Sequence, residues 1–309
     1  MAQDQFLNQT NIATGLLFPE GPVYLLDGSI LVAEIAGGVL TKIYIDGSKE
    51  NFSNLGGSPN GIAVGPDGFY YVCNSGGFEV FEFDGLTWVG GQPDNYSGGR
   101  IEKVDPISGD SIVLYSECNG EPLKGPNDIV FDSDGGFWFT DSGKSRAREM
   151  DKGGLYYAQI DGSSITEVIF PIITPNGVGL SPEGNALYFA ETYAARIIKV
   201  NILAPGILEP MKSPLEPGEV IYSSPDEGLY DSLAIDSLGN ICVATLIKGG
   251  ISVISPEGIL QDFIKTPDRL VTNICFGGAD FKTAFITLSG TGCIISMPWK
   301  NSGLKLNFN

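Results

Sequence analysis

The sequence predicts an all-β fold, a six-bladed β-propeller with a metal site on its central axis. Three observations lead to this prediction: one segment pattern recurs six times, helical periodicity of any length is missing, and the 309 residues include 42 glycines. Units of about 40 to 50 residues that each hold two short hairpins are typical of propeller blades. We therefore expect a single closed domain over residues 1–309.

Each copy of the repeat begins with a polar residue. A short apolar run follows, then a turn with Asp or Gly, then a run of aromatic and β-branched residues. This order is typical of a β-hairpin, so every copy is predicted to supply two strands. The copies begin 40, 67, 49, 55 and 42 residues apart, and they cover residues 20–34, 60–74, 127–141, 176–191, 231–245 and 273–287.

Further short strands are expected after most copies, for example over Val39–Ile45 and Leu260–Ile264. Two spacings between copies are long because they contain the segments 84–103 and 142–153. We predict that both segments are loop insertions over one face, where loops often shape a pocket. The segment Pro205–Pro217 contains four prolines and is predicted to be another loop.

The first residues of the six copies are the candidate functional residues. The innermost strand of each propeller blade runs along the central channel, so these residues are expected to face one another at one end of it. A single Asn or Asp before a strand is usually a turn residue, but six oxygen-bearing residues at one register favour a shared site. The six are two carboxylates and four amides: Glu20, Asn60, Asn127, Asn176, Asp231 and Asn273.

Carboxylate and amide oxygens, without nitrogen or sulfur ligands, are the donor set of a hard cation. The charges of Glu20 and Asp231 offset one divalent ion, and the neutral amides complete its shell. Calcium has a larger and more flexible shell than magnesium and suits such a ring better. We therefore predict one divalent cation, calcium in the first place, with zinc, magnesium or manganese as alternatives.

The composition excludes several kinds of catalytic site and partner. The chain has no histidine, which rules out Ser-His-Asp and Cys-His machinery and zinc sites built on histidine. Its formal net charge is −19, from 18 basic and 37 acidic residues, and such a surface repels nucleic acid and anionic lipid. We expect neither as a partner, and the sequence does not determine an oligomeric state.

Cysteine usage and the start of the chain give two further expectations. The five cysteines form no C-x-x-C pair and several stand in apolar runs, so we predict buried free thiols. Met1–Phe6 lacks the basic start and apolar stretch of a secretory signal, and no apolar run is long enough to span a bilayer. A cytoplasmic location is the default expectation.

Four motifs in this order resemble the SMP-30/gluconolactonase/LRE superfamily. They are Glu-Gly-Pro at 20–22, Pro-Asn-Asp at 126–128, Pro-Asn-Gly at 175–177 and the segment at Asp231. Thr272-Asn273 with the following Phe-Gly-Gly is similar to the closing-blade motif of that family, and the likeness extends from about residue 16 to 300. The resemblance implies a six-bladed propeller, a catalytic metal that is often calcium, and lactone hydrolysis. The family's metal ligands carry over to Glu20, Asn127, Asn176 and Asp231.

Three positions depart from the pattern that the resemblance implies. Sugar-lactonase members have an arginine where this chain has Gly125, which disfavours polar aldonolactones as substrates. Ser232 follows the last ligand where Gly is common, as in a bacterial drug-responsive lactonase branch in which the serine can join the metal shell. Organophosphate-hydrolysing relatives hold a second calcium with the help of a histidine, and this chain has Cys275 in that vicinity, so no second site is predicted.

The predicted function is that of a calcium-dependent lactonase acting on a small-molecule lactone. The cation is expected to act as a Lewis acid, and Asp231 as the general base or as a nucleophile. Asn60, Ser232 and Asn273 are predicted to bind substrate or water. Two alternatives stay open: hydrolysis of phosphotriesters or phosphofluoridates at the same site, and a non-catalytic binding propeller.

Overall fold

A computed structural model describes residues 8–213 and 216–309. These residues form strands, turns and bends without an α-helix. Accordingly, none of them belongs to a helix that is long and apolar enough to cross a membrane. Met1–Phe6, which carries the expectation about a secretory signal, lies outside the described residues, as does Pro214 of the proline-rich segment.

The strands follow the order that the repeat predicts. The first half of the chain contains β1 (Thr10–Ala13), β2 (Pro19–Tyr24), β3 (Ile30–Glu34), β4 (Val39–Ile43), β5 (Lys49–Asn54), β6 (Pro59–Val64), β7 (Tyr70–Asn74), β8 (Glu79–Phe83), β9 (Leu86–Gly90), β10 (Arg100–Val104), β11 (Ser111–Tyr115), β12 (Glu117–Cys118), β13 (Glu121–Pro122), β14 (Pro126–Phe131) and β15 (Phe137–Asp141). The second half contains β16 (Gly153–Ala158), β17 (Ile165–Ile172), β18 (Pro175–Leu180), β19 (Ala186–Glu191), β20 (Arg196–Ala204), β21 (Ile207–Leu208), β22 (Glu219–Ser223), β23 (Leu229–Ile235), β24 (Ile241–Leu246), β25 (Gly250–Ile254), β26 (Leu260–Lys265), β27 (Val271–Gly277), β28 (Thr283–Leu288) and β29 (Cys293–Pro298).

These strands form the six antiparallel blades of a propeller, which confirms the predicted fold. Blades one to five are, from the axis outward, β2-β3-β4-β5, β6-β7-β10-β11, β14-β15-β16-β17, β18-β19-β20-β22 and β23-β24-β25-β26. Blade six is β27-β28-β29-β1, so the first strand of the chain forms the outer edge of the last blade. This closure was not predicted from the sequence. Each innermost strand packs against the innermost strand of the next blade, and the ring closes between β27 and β2.

Two predicted loops contain strands. Within segment 84–103, β9 pairs with β8 in a hairpin that extends away from the blade, and β10 begins at Arg100. Asp84 and Gly85 both have positive φ angles, as a two-residue hairpin turn requires, and strand-forming residues flank them. In the proline-rich segment, β21 pairs with β20. Both hairpins were missed for the same reason. Each is short and lies outside the repeat, so the repeat pattern carries no signal for it.

The predicted free thiols are found, and three of the five are buried. Cys73, Cys118 and Cys242 have little or no exposed surface. Cys275 and Cys293 are half-buried, which corrects the expectation of complete burial for these two. No described cysteine forms a disulfide.

The two ends of the central channel differ. The first residues of the inner strands lie at one end, and residues 304–309 cross the other end. In this crossing segment Asn307 Nδ2 donates to the carbonyl of Phe131 at 2.9 Å, and Asn309 Nδ2 donates to the carbonyl of Tyr24 at 2.8 Å. A cavity of about 420 Å³ lies along the inner strands and is bordered by this segment. The functional candidates therefore lie at the end of the channel opposite residues 304–309.

Candidate metal and catalytic site

The inner strands approach one another closely beside the candidate residues. A Cβ atom on Gly61 would lie 2.7 Å from the carbonyl oxygen of Asn127, and one on Gly177 would lie 2.5 Å from the backbone nitrogen of Leu233. Ordinary Cβ contacts begin at about 3.4 Å, so only glycine permits this spacing. The close approach places the first residue of each of these blades beside the next inner strand.

Glu20 and Asn273 form a direct contact across the seam between blades one and six. Asn273 Nδ2 donates to Glu20 Oε2 at 2.8 Å, and the backbone N–H of Gly21 donates to the same oxygen at 2.6 Å. Asn273 Oδ1 accepts the N–H of Ile274 at 2.7 Å. Both ends of the Asn273 amide are thus engaged, and the residue holds Glu20 in position.

Asn176, Asp231 and Ser232 form a second group between blades four and five. Ser232 Oγ donates to Asn176 Oδ1 at 3.3 Å, and Asn176 acts to lower the pKa of the nearby Asp231 carboxyl group, which burial raises. Asn176 Nδ2 donates to Thr192 Oγ1 at 3.1 Å. Ser232 has no exposed surface, so its hydroxyl supports Asn176 and does not face an open pocket.

Asn60 and Asn127 carry the most informative atoms of the site. Their side-chain Oδ1 oxygens are buried and have no hydrogen-bond partner among the described residues. Buried polar atoms without a partner cost free energy and are rare, and a bound ion is one recognised explanation. Buried oxygen acceptors without a hydrogen-bond donor fit a cation. No three Asp, Glu or Cys side chains in residues 8–213 and 216–309 converge closely enough to bind one alone. A cation here therefore needs the amide oxygens.

A third carboxyl group, that of Asp128, is not among the site residues that the sequence predicts. Its Oδ1 accepts the N–H of Ile129 at 2.9 Å, and its Oδ2 accepts the N–H of Val178 from blade four at 3.4 Å. Burial and the nearby charge of Glu20 raise the pKa of Asp128 to about 7. Its position in the repeat could have identified it, because Asp128 stands where three other copies have Gly.

The three carboxyl groups of this centre all have raised pKa values. Burial raises the pKa of Glu20, although hydrogen bonds from Asn273 and Gly21 act in the opposite direction. Burial, and then the charges of Glu20 and Asp128, raise the pKa of Asp231 well above its ordinary value. The protein groups alone thus disfavour three ionised carboxylates here, and a bound cation would favour them.

Polar residues at the ends of the second strands hold the chain that enters each inner strand. Each accepts a backbone N–H two or three residues before the first residue of its copy. The pairs are Glu34 with Leu17 at 2.6 Å, Asn74 with Ser58 at 3.0 Å, Asp141 with Lys124 and Gly125 at 2.7 Å each, and Glu191 with Ile173 at 3.2 Å.

Gly125 occupies a position where no side chain fits. A Cβ atom there would lie 2.5 Å from the carbonyl oxygen of Gly143, which belongs to the insertion 142–153. The N–H of Gly143 donates to Asp141 at 2.8 Å, so the insertion is fixed against the entrance of blade three. The backbone of the insertion therefore takes the space that a larger residue would need.

Comparisons with known proteins agree with the fold and show the family. Residues 18–290 match the family model described as the SMP-30/gluconolactonase/LRE-like region. The lactonase drp35 of Staphylococcus saprophyticus is 31% identical over 252 residues, 81% of this chain and 70% of that protein. A gluconolactonase of Zymomonas mobilis is 29% identical over 290 residues, 90% of this chain and 78% of that protein.

Two solved structures share the fold. A gluconolactonase from Xanthomonas campestris has a TM-score of 0.74 and 22% identity, with 94% of this chain and 89% of that chain covered. A calcium-binding protein, regucalcin, from Agrobacterium tumefaciens has a TM-score of 0.74 and 18% identity, with 96% and 98% covered.

Proposed function

We propose that this chain, which belongs to the SMP-30/gluconolactonase/LRE-like family, hydrolyses lactones at the axial site with the help of one divalent cation. The names of its relatives, a lactonase and a gluconolactonase, support this reaction class. The observation that carries the proposal is the pair of buried, unpartnered amide oxygens of Asn60 and Asn127 at a centre with three carboxyl groups.

The residues that would hold the cation are Glu20, Asn127, Asn176 and Asp231, with the oxygen of Asn60 available beside them. Calcium suits this all-oxygen set, and the structural neighbour described as a calcium-binding protein supports it over zinc, magnesium and manganese. When bound, a divalent cation supplies positive charge that polarises the lactone carbonyl.

Asp231 acts on the attacking water. Its carboxylate accepts a proton as the water oxygen bonds to the carbonyl carbon of the lactone. The ring C–O bond then breaks, the leaving oxygen takes up the proton, and a hydroxy acid is released. Asn60 orients the water through Oδ1, while Asn273 holds Glu20 and Ser232 holds Asn176 in place. Burial keeps bulk water from competing in this step.

Acid release from a panel of sugar, aliphatic and aromatic lactones, followed by pH-stat, tests the proposal. Asp231→Asn is expected to lower kcat roughly 10²- to 10⁴-fold, which is the usual contribution of a general base. Asp262→Asn, an exposed carboxylate on β26 of the same blade, is the matched control and is expected to retain activity. Full activity of Asp231→Asn would overturn the assignment. A higher kcat/KM for phosphotriesters than for every lactone would favour the alternative reaction.

A further inference from the structure

The hairpin of β8 and β9 crosses the end of the channel where the axial residues lie. We call it the roof hairpin (Glu79–Gly90). It pairs with itself alone, and β8 is exposed whereas β9 is half-buried. The insertion that contains it starts after Asn74, which pairs with Pro59 beside the first residue of blade two. The roof hairpin therefore leaves its blade at the level of the axial site.

Two sets of contacts fix the roof hairpin on opposite sides of the ring. At its base, Lys144 of blade three donates from Nζ to the carbonyl of Gly77 at 2.6 Å and lies 3.6 Å from the centre of the Phe78 ring. Near its tip, the N–H of Thr87 donates to the carbonyl of Gly290 in blade six at 2.9 Å. Blades three and six are opposite each other in a ring of six, so the segment between these contacts passes over the channel.

The roof hairpin presents apolar surface toward the rim of the channel. Phe78 and the β9 residues Leu86, Trp88 and Val89 pack in one cluster with buried residues of the rim. The rim residues stand close to axial positions in the sequence, since Phe18 comes two residues before Glu20 and Leu270 three before Asn273. The roof side chains in this cluster are half-buried and keep apolar surface uncovered.

Three polar donors beside this apolar cluster are already used. Trp88 Nε1 donates to the carbonyl of Phe83 at 3.0 Å, and Lys144 Nζ and the N–H of Thr87 have the partners given above. A sugar lactone placed under the roof would lose water from its hydroxyl groups without gaining partners from these donors, which costs affinity. An alkyl or aryl substituent would gain by burial.

We propose that the roof hairpin selects lactones with an alkyl or aryl substituent over polyhydroxylated lactones. This inference rests on the proposed function, because it names the substrate class of that same site. Each buried methylene group is expected to raise kcat/KM about fourfold until the substituent outgrows the roof.

The test measures kcat/KM by acid release for γ-butyrolactone, γ-hexalactone, γ-nonalactone and glucono-δ-lactone. For the wild-type protein, kcat/KM is expected to rise along the alkyl series and to be lowest for glucono-δ-lactone. Leu86→Asn is expected to reduce the ratio of γ-nonalactone to γ-butyrolactone about tenfold, and Val89→Thr, which preserves volume, to reduce it by a smaller factor. Val80→Thr, on the exposed strand of the same hairpin, is the control and should keep the wild-type ratio.

The outcomes separate the two claims. The inference would be overturned if lactones are hydrolysed but kcat/KM does not rise along the alkyl series. It would also be overturned if both roof variants lose kcat/KM equally for all lactones. Either result would leave the proposed function standing. Absence of turnover for every lactone, with calcium confirmed bound, would overturn the proposed function and the inference with it.

Discussion

Replacing Gly177 by alanine tests the close approach of inner strands on which the axial site depends. The new Cβ would lie 2.5 Å from the nitrogen of Leu233, which is 0.9 Å inside the 3.4 Å at which ordinary contacts begin. It would also lie 2.7 Å from the Cα of Ser232, the residue after Asp231. All these neighbours are backbone atoms, so blades four and five have to separate. Overpacking of this kind typically costs about 1 to 3 kcal/mol.

The same displacement moves Asn176 relative to Asp231. A misplacement of about 1 Å at a catalytic centre can cost on the order of 10²-fold in rate. The assay compares thermal denaturation and turnover of γ-butyrolactone, which has no substituent to contact the roof hairpin, between Gly177→Ala and Gly90→Ala, since a Cβ on Gly90 meets nothing within 4 Å. We expect a lower Tm and a much lower kcat for the first variant alone. Wild-type Tm and kcat in Gly177→Ala would refute the close approach.

Three further substitutions are predicted to have separable effects. Burial lowers the pKa of Lys144 to about 7, so above that pH the unfolded chain binds one proton more than the folded protein and stability rises with pH. Between pH 7 and 9, Lys144→Met is expected to remove a rise in unfolding free energy of about 1.4 kcal/mol per pH unit, measured by urea unfolding. Parallel plots of unfolding free energy against pH for the wild type and the variant would contradict this. Asn127→Leu is expected to weaken calcium binding in chelator competition without destabilising the metal-free protein, because its Oδ1 has no partner to lose; unchanged calcium affinity would count against its role as a ligand. Asp141→Ala leaves the N–H groups of Lys124, Gly125 and Gly143 without their acceptor, so we expect a loss of about 1 to 3 kcal/mol or more in unfolding free energy, and an unchanged Tm would contradict this account.

The blades and their first residues could be predicted because the signal is both local and repeated. Each hairpin is specified within about 15 residues by its turn and by its alternation of side chains. Six copies then place Glu20, Asn127 and the other first residues at one register without any knowledge of contacts. The fold is confirmed, whereas the role of each axial residue stays a prediction.

Other features could not be read from the repeat because they depend on pairing across the fold. The closure of blade six pairs Thr10 with Ser296, and no local pattern connects residues so far apart. Asp128 was missed because it stands second in its copy, and its charge matters only where the inner strands converge. The roof hairpin carried a turn signal at Asp84-Gly85, but its place over the channel depends on Lys144 and Gly290 in other blades.

Titration of metal-free protein with calcium, while acid release from a lactone is followed, tests the central claim most directly. We predict that turnover is absent without metal, rises linearly with added calcium and levels off at one equivalent per chain, and that Asn127→Leu shifts the midpoint to higher calcium. Full turnover in the metal-free protein would contradict the assignment of the axial oxygens as the ligands of a catalytic cation.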